Sequence, residues 1–141
     1  MFLGEYEYKI DDKGRVPIPP KFRRDLKDGL VLAPGPETCI VAYGLAEWTK
    51  MSETLPAGSL APAKVRRLGR ATFATAFSLT LDGQGRVALP ITLREYARIG
   101  DELVVVGVNT YLEMWNRELW VAEKAAAQEQ AWQIIEGLER R

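Results

Sequence analysis

The chain has 141 residues, with 19 Lys and Arg balanced by 19 Asp and Glu. That length suits one good core or two small ones, and a net charge of zero excludes bulk electrostatic attraction to nucleic acid, so any such site must be a local arrangement of charge. There is no histidine, which removes the commonest general base, the usual zinc ligand and every Ser–His or Cys–His pair.

The single cysteine, Cys39, excludes an internal disulfide and fits a reducing compartment. The opening Met1-Phe2-Leu3-Gly4-Glu5-Tyr6 lacks the basic region and long apolar stretch of a signal peptide. No apolar run approaches the roughly 20 residues that span a bilayer. Nothing brings carboxylates together at a spacing suited to acid–base work. No catalytic residue, cofactor, metal site, small-molecule substrate or membrane association is therefore expected.

In chain order, Tyr6, Tyr8 and Ile10 alternate with Glu7 and Lys9, a period of two that signals a strand entering a hairpin. The turn Asp11-Asp12-Lys13-Gly14-Arg15 follows. Alternation then resumes, with Val16 and Ile18 facing inward and Arg15 outward. Pro19-Pro20 break this strand and open a two-turn helix over 21–27, with Phe22 and Leu26 on one face and Gly29 as its stop. An apolar hairpin comes next: residues 30–33, a Pro34-Gly35-Pro36 turn, then 39–43. A helix runs from about Leu45 to Thr54, and residues 55–61 form a connector. Lys64, Arg66, Arg67 and Arg70 sit on a linking helix with no acidic residue among them.

The same order then recurs. Phe77, Leu79 and Leu81 alternate inward, the turn Asp82-Gly83-Gln84-Gly85-Arg86 follows, and Val87 and Leu89 face inward. Pro90 opens a helix over 92–98 that Gly100 stops. A hairpin of 103–106 and 111–115 turns near Asn109, and a helix capped by Asn116 runs to about Leu138. Asp82 lies 71 positions after Asp11. At that spacing Gly14/Gly85, Arg15/Arg86, Val16/Val87, Pro19/Pro90, Arg23/Arg94 and Gly29/Gly100 are also identical, and one position later so are Thr38/Thr110 and Trp48/Trp120. Such duplication implies a quasi-two-fold object.

Strand, Asp-x-x-Gly-Arg turn, strand, proline, short helix, hairpin: this order resembles the swapped-hairpin domain of the AbrB/SpoVT class. Two copies separated by an Arg-rich linker resemble the MraZ family over residues 1–137. The resemblance implies a mainly β, α+β fold. In it, two tandem AbrB-like half-domains form one pseudo-two-fold, barrel-like unit with flanking helices. The expected divisions are a first domain at 5–48, a linker with helix at 49–76, a second domain at 77–120 and a C-terminal helix at 121–141. It further implies a bacterial, cytoplasmic, nucleoid-associated regulator of the cell-division and cell-wall gene cluster. Such a regulator binds double-stranded DNA at short repeated boxes upstream of its own operon and assembles into a homo-oligomeric ring. The residues implied to face DNA are Lys13, Arg15, Gln84 and Arg86, supported by Asp11, Gly14, Asp82 and Gly85.

That role has a physical rationale. Arginine at a hairpin mouth offers a planar fork to guanine O6 and N7, or to phosphate. Lysine adds salt-dependent phosphate attraction. The aspartates cap the turn amides or brace the arginine, and the glycines supply positive φ. The second turn has Gly83 and Gln84 where the first has Lys13, so it carries less positive charge.

The plainer alternative for each turn is a surface salt bridge worth roughly 0–1 kcal/mol. For Lys64, Arg66, Arg67 and Arg70 a solvated helix face is preferred. Lys21, Arg23 and Arg24 stay open between that role and phosphate contact. Trp48 and the other aromatics read as core or interface residues, and Cys39 as a buried filler. The rival function is an antitoxin-type interaction module, in which residues 118–141, with Trp132 and Ile135, bind a partner protein. A tail of that kind should be disordered alone.

Overall fold

The computed structural model describes residues 1–139. Eight strands and four α-helices alternate: β1 (Glu5–Lys9), β2 (Arg15–Pro17), β3 (Leu30–Pro34), β4 (Ile40–Gly44), α1 (Leu45–Glu53), α2 (Ala63–Gly69), β5 (Phe77–Leu79), β6 (Arg86–Ala88), α3 (Ile91–Tyr96), β7 (Glu102–Val108), β8 (Tyr111–Trp115) and α4 (Arg117–Glu139). The fold is mainly β, α+β, as expected.

The two repeats are interleaved. Each turn closes like a hairpin, with the Asp11 N–H donating to the Arg15 carbonyl at 3.0 Å and the Asp82 N–H to the Arg86 carbonyl at 2.9 Å. The strands on either side of the turn then part. β1 pairs with β7 of the second repeat, β5 pairs with β3 of the first, and β2 pairs with β6. Among the described residues only β3–β4 and β7–β8 are hairpins within a repeat, and β4–β8 joins them in a six-stranded antiparallel sheet ordered β1-β7-β8-β4-β3-β5.

The register is quasi-two-fold. Val16 faces Val87, its own counterpart, and the pairs Arg15–Ala88 and Pro17–Arg86 exchange about them. In the sheet Val41 faces Glu113, and Ile40–Met114 exchanges with Ala42–Leu112. The barrel-like expectation needs one correction: β1 and β5 are the two ends of the large sheet, which is open rather than closed.

Crossed pairing makes one core from both repeats. Val16, Ile18, Phe22, Leu26, Leu30 and Leu32 pack with Val87, Leu89, Leu93, Leu103, Val105, Leu112 and Met114. The inward set of β2 and β6 is thus as the alternation predicts. Phe77 departs from it, lying largely exposed on the short edge strand while Leu79 and Leu81 are half-buried. A second cluster of Cys39, Val41, Val104, Val106 and Trp115 forms on the other sheet face beneath Leu119 and Trp120 of α4.

The first short helix is not α. Residues 20–26 make two successive 3-10 turns, with Phe22 N–H bonded to Pro19 O and Leu26 N–H to Arg23 O. So short a segment gains little from α-helical nucleation, and i to i+3 bonds suffice to turn Phe22 and Leu26 inward. Gly100 is not the stop of α3 either. Arg98 takes the left-handed conformation at φ 56°. Arg98 N–H bonds to Glu95 O and Ile99 N–H to Arg94 O, the double closure of a Schellman cap. Asn116 does cap α4, its Oδ1 accepting from Leu119 N–H at 3.0 Å. The basic linker is helical as expected, α2 running into a π-helical turn over Arg70–Ala74.

Candidate nucleic-acid interface

The β2–β6 ribbon is three residues long on each side and is preceded at each entry by one Asp/Arg turn. Its shortness is what brings the turns together. In the first, Asp11 Oδ1 accepts from the backbone N–H of Lys13 and of Arg15, both at 2.9 Å, and Oδ2 accepts from Arg15 Nε at 2.7 Å. In the second, Asp82 Oδ1 accepts from Gln84 and Arg86 N–H, both at 2.9 Å, and Oδ2 from Arg86 Nε at 2.9 Å. One carboxylate therefore both caps the turn and braces the arginine. Across the dyad, Arg86 Nη1 lies 3.7 Å from Asp11 Oδ2, so the four charges make one cluster.

These bonds hold the pKa of both carboxyls below the ordinary aspartate range. The backbone N–H of Arg15 is the leading cause for Asp11, and that of Arg86 for Asp82, with the guanidinium hydrogen bonds adding to each. Both aspartates are thus ionised at neutral pH, and the four-residue cluster is neutral. Lys13 adds a further positive charge, offset in the same turn by Asp12, and it is exposed, as is Gln84.

Tying Nε to a carboxylate fixes the plane of the guanidinium. Among the described residues, Arg15 makes no side-chain hydrogen bond other than that one from Nε, so its Nη edge is available to an external acceptor. The arrangement can present two planar donor forks side by side at preset angles.

Gly14 and Gly85 adopt φ 75° and 73°, the left-handed region that L side chains rarely enter. Each also seats an arginine from the opposite repeat. A Cβ on Gly85 would fall 2.2 Å from Arg23 Nε, and one on Gly14 would fall 3.4 Å from Arg94 Nη1. Arg23 Nε donates to the Ile18 carbonyl at 2.8 Å, and Ile18 N–H donates to Gly85 O at 2.9 Å. Arg23 thus braces the turn of the other repeat, a positioning role beyond the solvated face and phosphate contact between which it stood open. Its recurrence as Arg94 was the available signal. Lys21 instead stands 5.6 Å over the Tyr6 ring.

Other residues singled out in the sequence fall away from this cluster. Trp48 packs edge-on against Tyr43 and Phe73. Cys39 is buried, and burial, with Glu113 and Glu37 nearby, pushes its thiol up to about 12, which suits a filler rather than a nucleophile. Among the described residues there is no group of His, Cys, Asp and Glu that could hold a metal ion. Among the same residues no helix is long and apolar enough to cross a membrane.

The family model for the MraZ protein, whose description also carries the words "antitoxin-like", matches residues 1–71 and again 72–139. The chain belongs to the MraZ family. It is 59% identical to the transcriptional regulator MraZ of Dehalococcoides mccartyi over 140 residues, 99% of each chain. It is 43% identical to that of Moorella thermoacetica and 38% to that of a Roseiflexus species, each over 120 residues, 85% of this chain and 84% of the relative. The two family matches meet at residue 71, the same spacing that separates the paired MraZ turns.

Proposed function

We propose that the protein is a sequence-specific DNA-binding regulator of transcription that presents Lys13, Arg15, Gln84 and Arg86 to the major groove. The observation carrying this reading is the duplicated Asp–Arg turn with matched geometry, drawn into one cluster by a three-residue ribbon. The relatives named as transcriptional regulators support it. A neutral cluster gains little from bulk attraction to phosphate, so its arginine forks favour reading base edges, where a bidentate contact is worth roughly 1–3 kcal/mol. Asp11, Asp82, Gly14 and Gly85 hold the forks in place. The targets are short repeated boxes upstream of its own operon, within the cell-division and cell-wall gene cluster. A self-assembled, nucleoid-associated ring in the cytoplasm would offer several turn pairs to such boxes and gain affinity through effective concentration.

The test is fluorescence anisotropy with a duplex from upstream of the protein's own gene and a shuffled duplex of equal length, titrated at several salt concentrations. Tighter binding to the native duplex that survives moderate salt is expected. Arg15→Ala with Arg86→Ala should abolish that preference, at roughly 1–3 kcal/mol per arginine, while melting stays near wild type. A folded double variant with unchanged preference would overturn the assignment.

A further inference from the structure

The two turns make the same internal bonds but are held from outside in different ways. Behind the second, the Arg23 side chain of the first repeat lies on Gly85: its Nε, Cδ and Cζ are the three atoms nearest to where a Gly85 Cβ would stand, all too close for a real one. Arg23 Nε donates to the Ile18 carbonyl at 2.8 Å, and the Ile18 N–H donates to the Gly85 carbonyl at 2.9 Å. Ile18 therefore links the Arg23 guanidinium to the residue that precedes Arg86. The Arg86 side chain is held as well, by Asp82 Oδ2 at 2.9 Å and by Asp11 Oδ2 of the opposite turn at 3.7 Å.

The first turn lacks this backing. Leu89 is the counterpart of Ile18, and its N–H donates to the Gly14 carbonyl at 2.9 Å in the same way. Among the described residues, however, Arg94 makes no hydrogen bond to the Leu89 carbonyl. Its Nη2 donates to the Gly100 carbonyl at 3.0 Å instead, and only its Nη1 tip comes near Gly14. Among the same residues Arg15 is tied to Asp11 alone. A planar fork backed from several sides keeps its plane, and one tied only at Nε tilts on its stem. A rigid donor pair loses little entropy on meeting the acceptor edge it fits, and it cannot tilt to meet an edge it does not fit, so rigidity raises discrimination.

We propose that Arg23 is a positioning residue that sets specificity across the dyad. By packing on Gly85 it fixes the plane of the Arg86 fork and makes the second turn the more selective reader, while the first turn, with Lys13 and a loosely backed Arg15, adapts to its target. The inference rests on the reading of these turns as the DNA-facing site and deepens it by giving them unequal tasks. Arg23 acts through Arg86, its Nε facing the Ile18 carbonyl rather than a phosphate. The crossing of the repeats is what lets a side chain of the first govern the turn of the second.

The experiment uses the full-length protein with Arg23→Lys, Arg94→Lys and Arg86→Ala, each shown to be folded by circular dichroism and melting. Lysine keeps the charge but has no planar Nε–Cζ segment to lie on Gly85. NMR relaxation of the arginine Nε–H groups reads the forks without DNA: Arg86 is expected to be more rigid than Arg15 in wild type, and to loosen in Arg23→Lys but not in Arg94→Lys. Fluorescence anisotropy then compares the duplex from upstream of the protein's own gene with its single-base variants. Arg23→Lys should cut discrimination by about fivefold or more, out of the roughly 5- to 150-fold that one bidentate contact supplies, at the same base pairs where Arg86→Ala cuts it. The other positions and the salt dependence should stay as in wild type. Wild-type rigidity at Arg86 or wild-type discrimination in Arg23→Lys overturns the proposal. Equal loss at every base pair marks a merely structural role and overturns it too, and an Arg94→Lys protein that matches Arg23→Lys overturns the asymmetry on which it stands. A wild-type protein with no preference for the native duplex is the failure of the DNA reading itself, distinguishable from the others, and the specificity assignment falls with it.

Discussion

The two repeats share a turn whose hydrogen bonds match in partner and to within about 0.2 Å in length, and they differ in almost everything that surrounds it. At corresponding places, Phe2 of the first is 6% exposed, packed edge-on against Phe22 and bridged to Asn109 by two backbone bonds, whereas Phe73 of the second is 42% exposed against Trp48. β1 pairs over five residues and β5 over three. What duplication has kept is the turn and the dyad register. What has drifted is the flank, where the first repeat holds its opening segment down and the second carries the same stretch in a π-helical turn. Constraint thus follows the Asp–Arg turns rather than the bulk of the fold.

The largest expected effect tests that asymmetry directly. Phe2→Ala removes a buried ring from the joint core and should cost about 3–4 kcal/mol. Phe73→Ala removes a ring nearly half in water and should cost about 1 kcal/mol or less. Chemical denaturation of the two variants side by side measures the difference. Equal losses would mean that the opening segment is not the tighter flank.

The turns differ more subtly. Alanine at Gly14 or Gly85 must enter the same strained backbone region, at a cost of order 1 kcal/mol. At Gly85 the new Cβ would also collide with Arg23 Cδ and Nε, at 2.3 and 2.2 Å, whereas at Gly14 the nearest atom is the mobile end of Arg94 at 3.4 Å. Moving Arg23 breaks its bond to Ile18. Gly85→Ala should therefore cost roughly 2–3 kcal/mol against about 1 for Gly14→Ala. If Arg23→Ala fails to relieve Gly85→Ala, the arginine is not the obstruction.

How far these features were legible in the sequence depends on how local they are. The Asp/Arg turns, the inward pairs Val16/Ile18 and Val87/Leu89, and the Asn116 cap are decided within a few residues, and each could be read directly. The crossing of β1 to β7 and β5 to β3 was not readable from alternation, because a strand shows the same period whichever neighbour it pairs with; it came only through family resemblance. The Arg23–Gly85 contact joins residues far apart in the chain and left only the echo of Arg94. Gly100 misled because glycine is the usual left-handed residue, yet Arg98 closes α3 two positions earlier. The exposure of Phe77 reflects an edge strand too short to cover its own side chain.

The dyad position in the sheet offers a smaller contrast. Where the first repeat has Val41, the second has Glu113, half-buried and accepting from Trp115 Nε1 at 3.0 Å. Burial is the leading cause that raises its carboxyl above the ordinary glutamate range, opposed by the Trp115 hydrogen bond. A carboxyl raised by folding contributes stability below its unfolded value and loses it as pH rises through the folded one. Glu113→Gln should accordingly raise the melting temperature at pH 7 and leave it unchanged near pH 4. Asp11 and Asp82 have the opposite sign, since folding lowers them. Their contribution is present above the ordinary aspartate value and fades as pH falls through the folded ones.

The smallest effect is the most informative about how the two turns would divide the proposed reading of DNA. Lys13 and Gln84 occupy matching places, each donating a backbone N–H to its turn aspartate, so exchanging their side chains leaves the turn bonds intact. A lysine that meets phosphate releases about one counterion, and the logarithm of affinity changes with the logarithm of salt by about 0.9 per contact. Lys13→Gln should flatten the salt dependence by about that amount and weaken native and shuffled duplexes alike. Gln84→Lys should steepen it equally and tighten both. If Lys13→Gln instead weakens only the native duplex at unchanged salt slope, the lysine reads a base, and the repeats differ in what they recognise rather than in how strongly they are held.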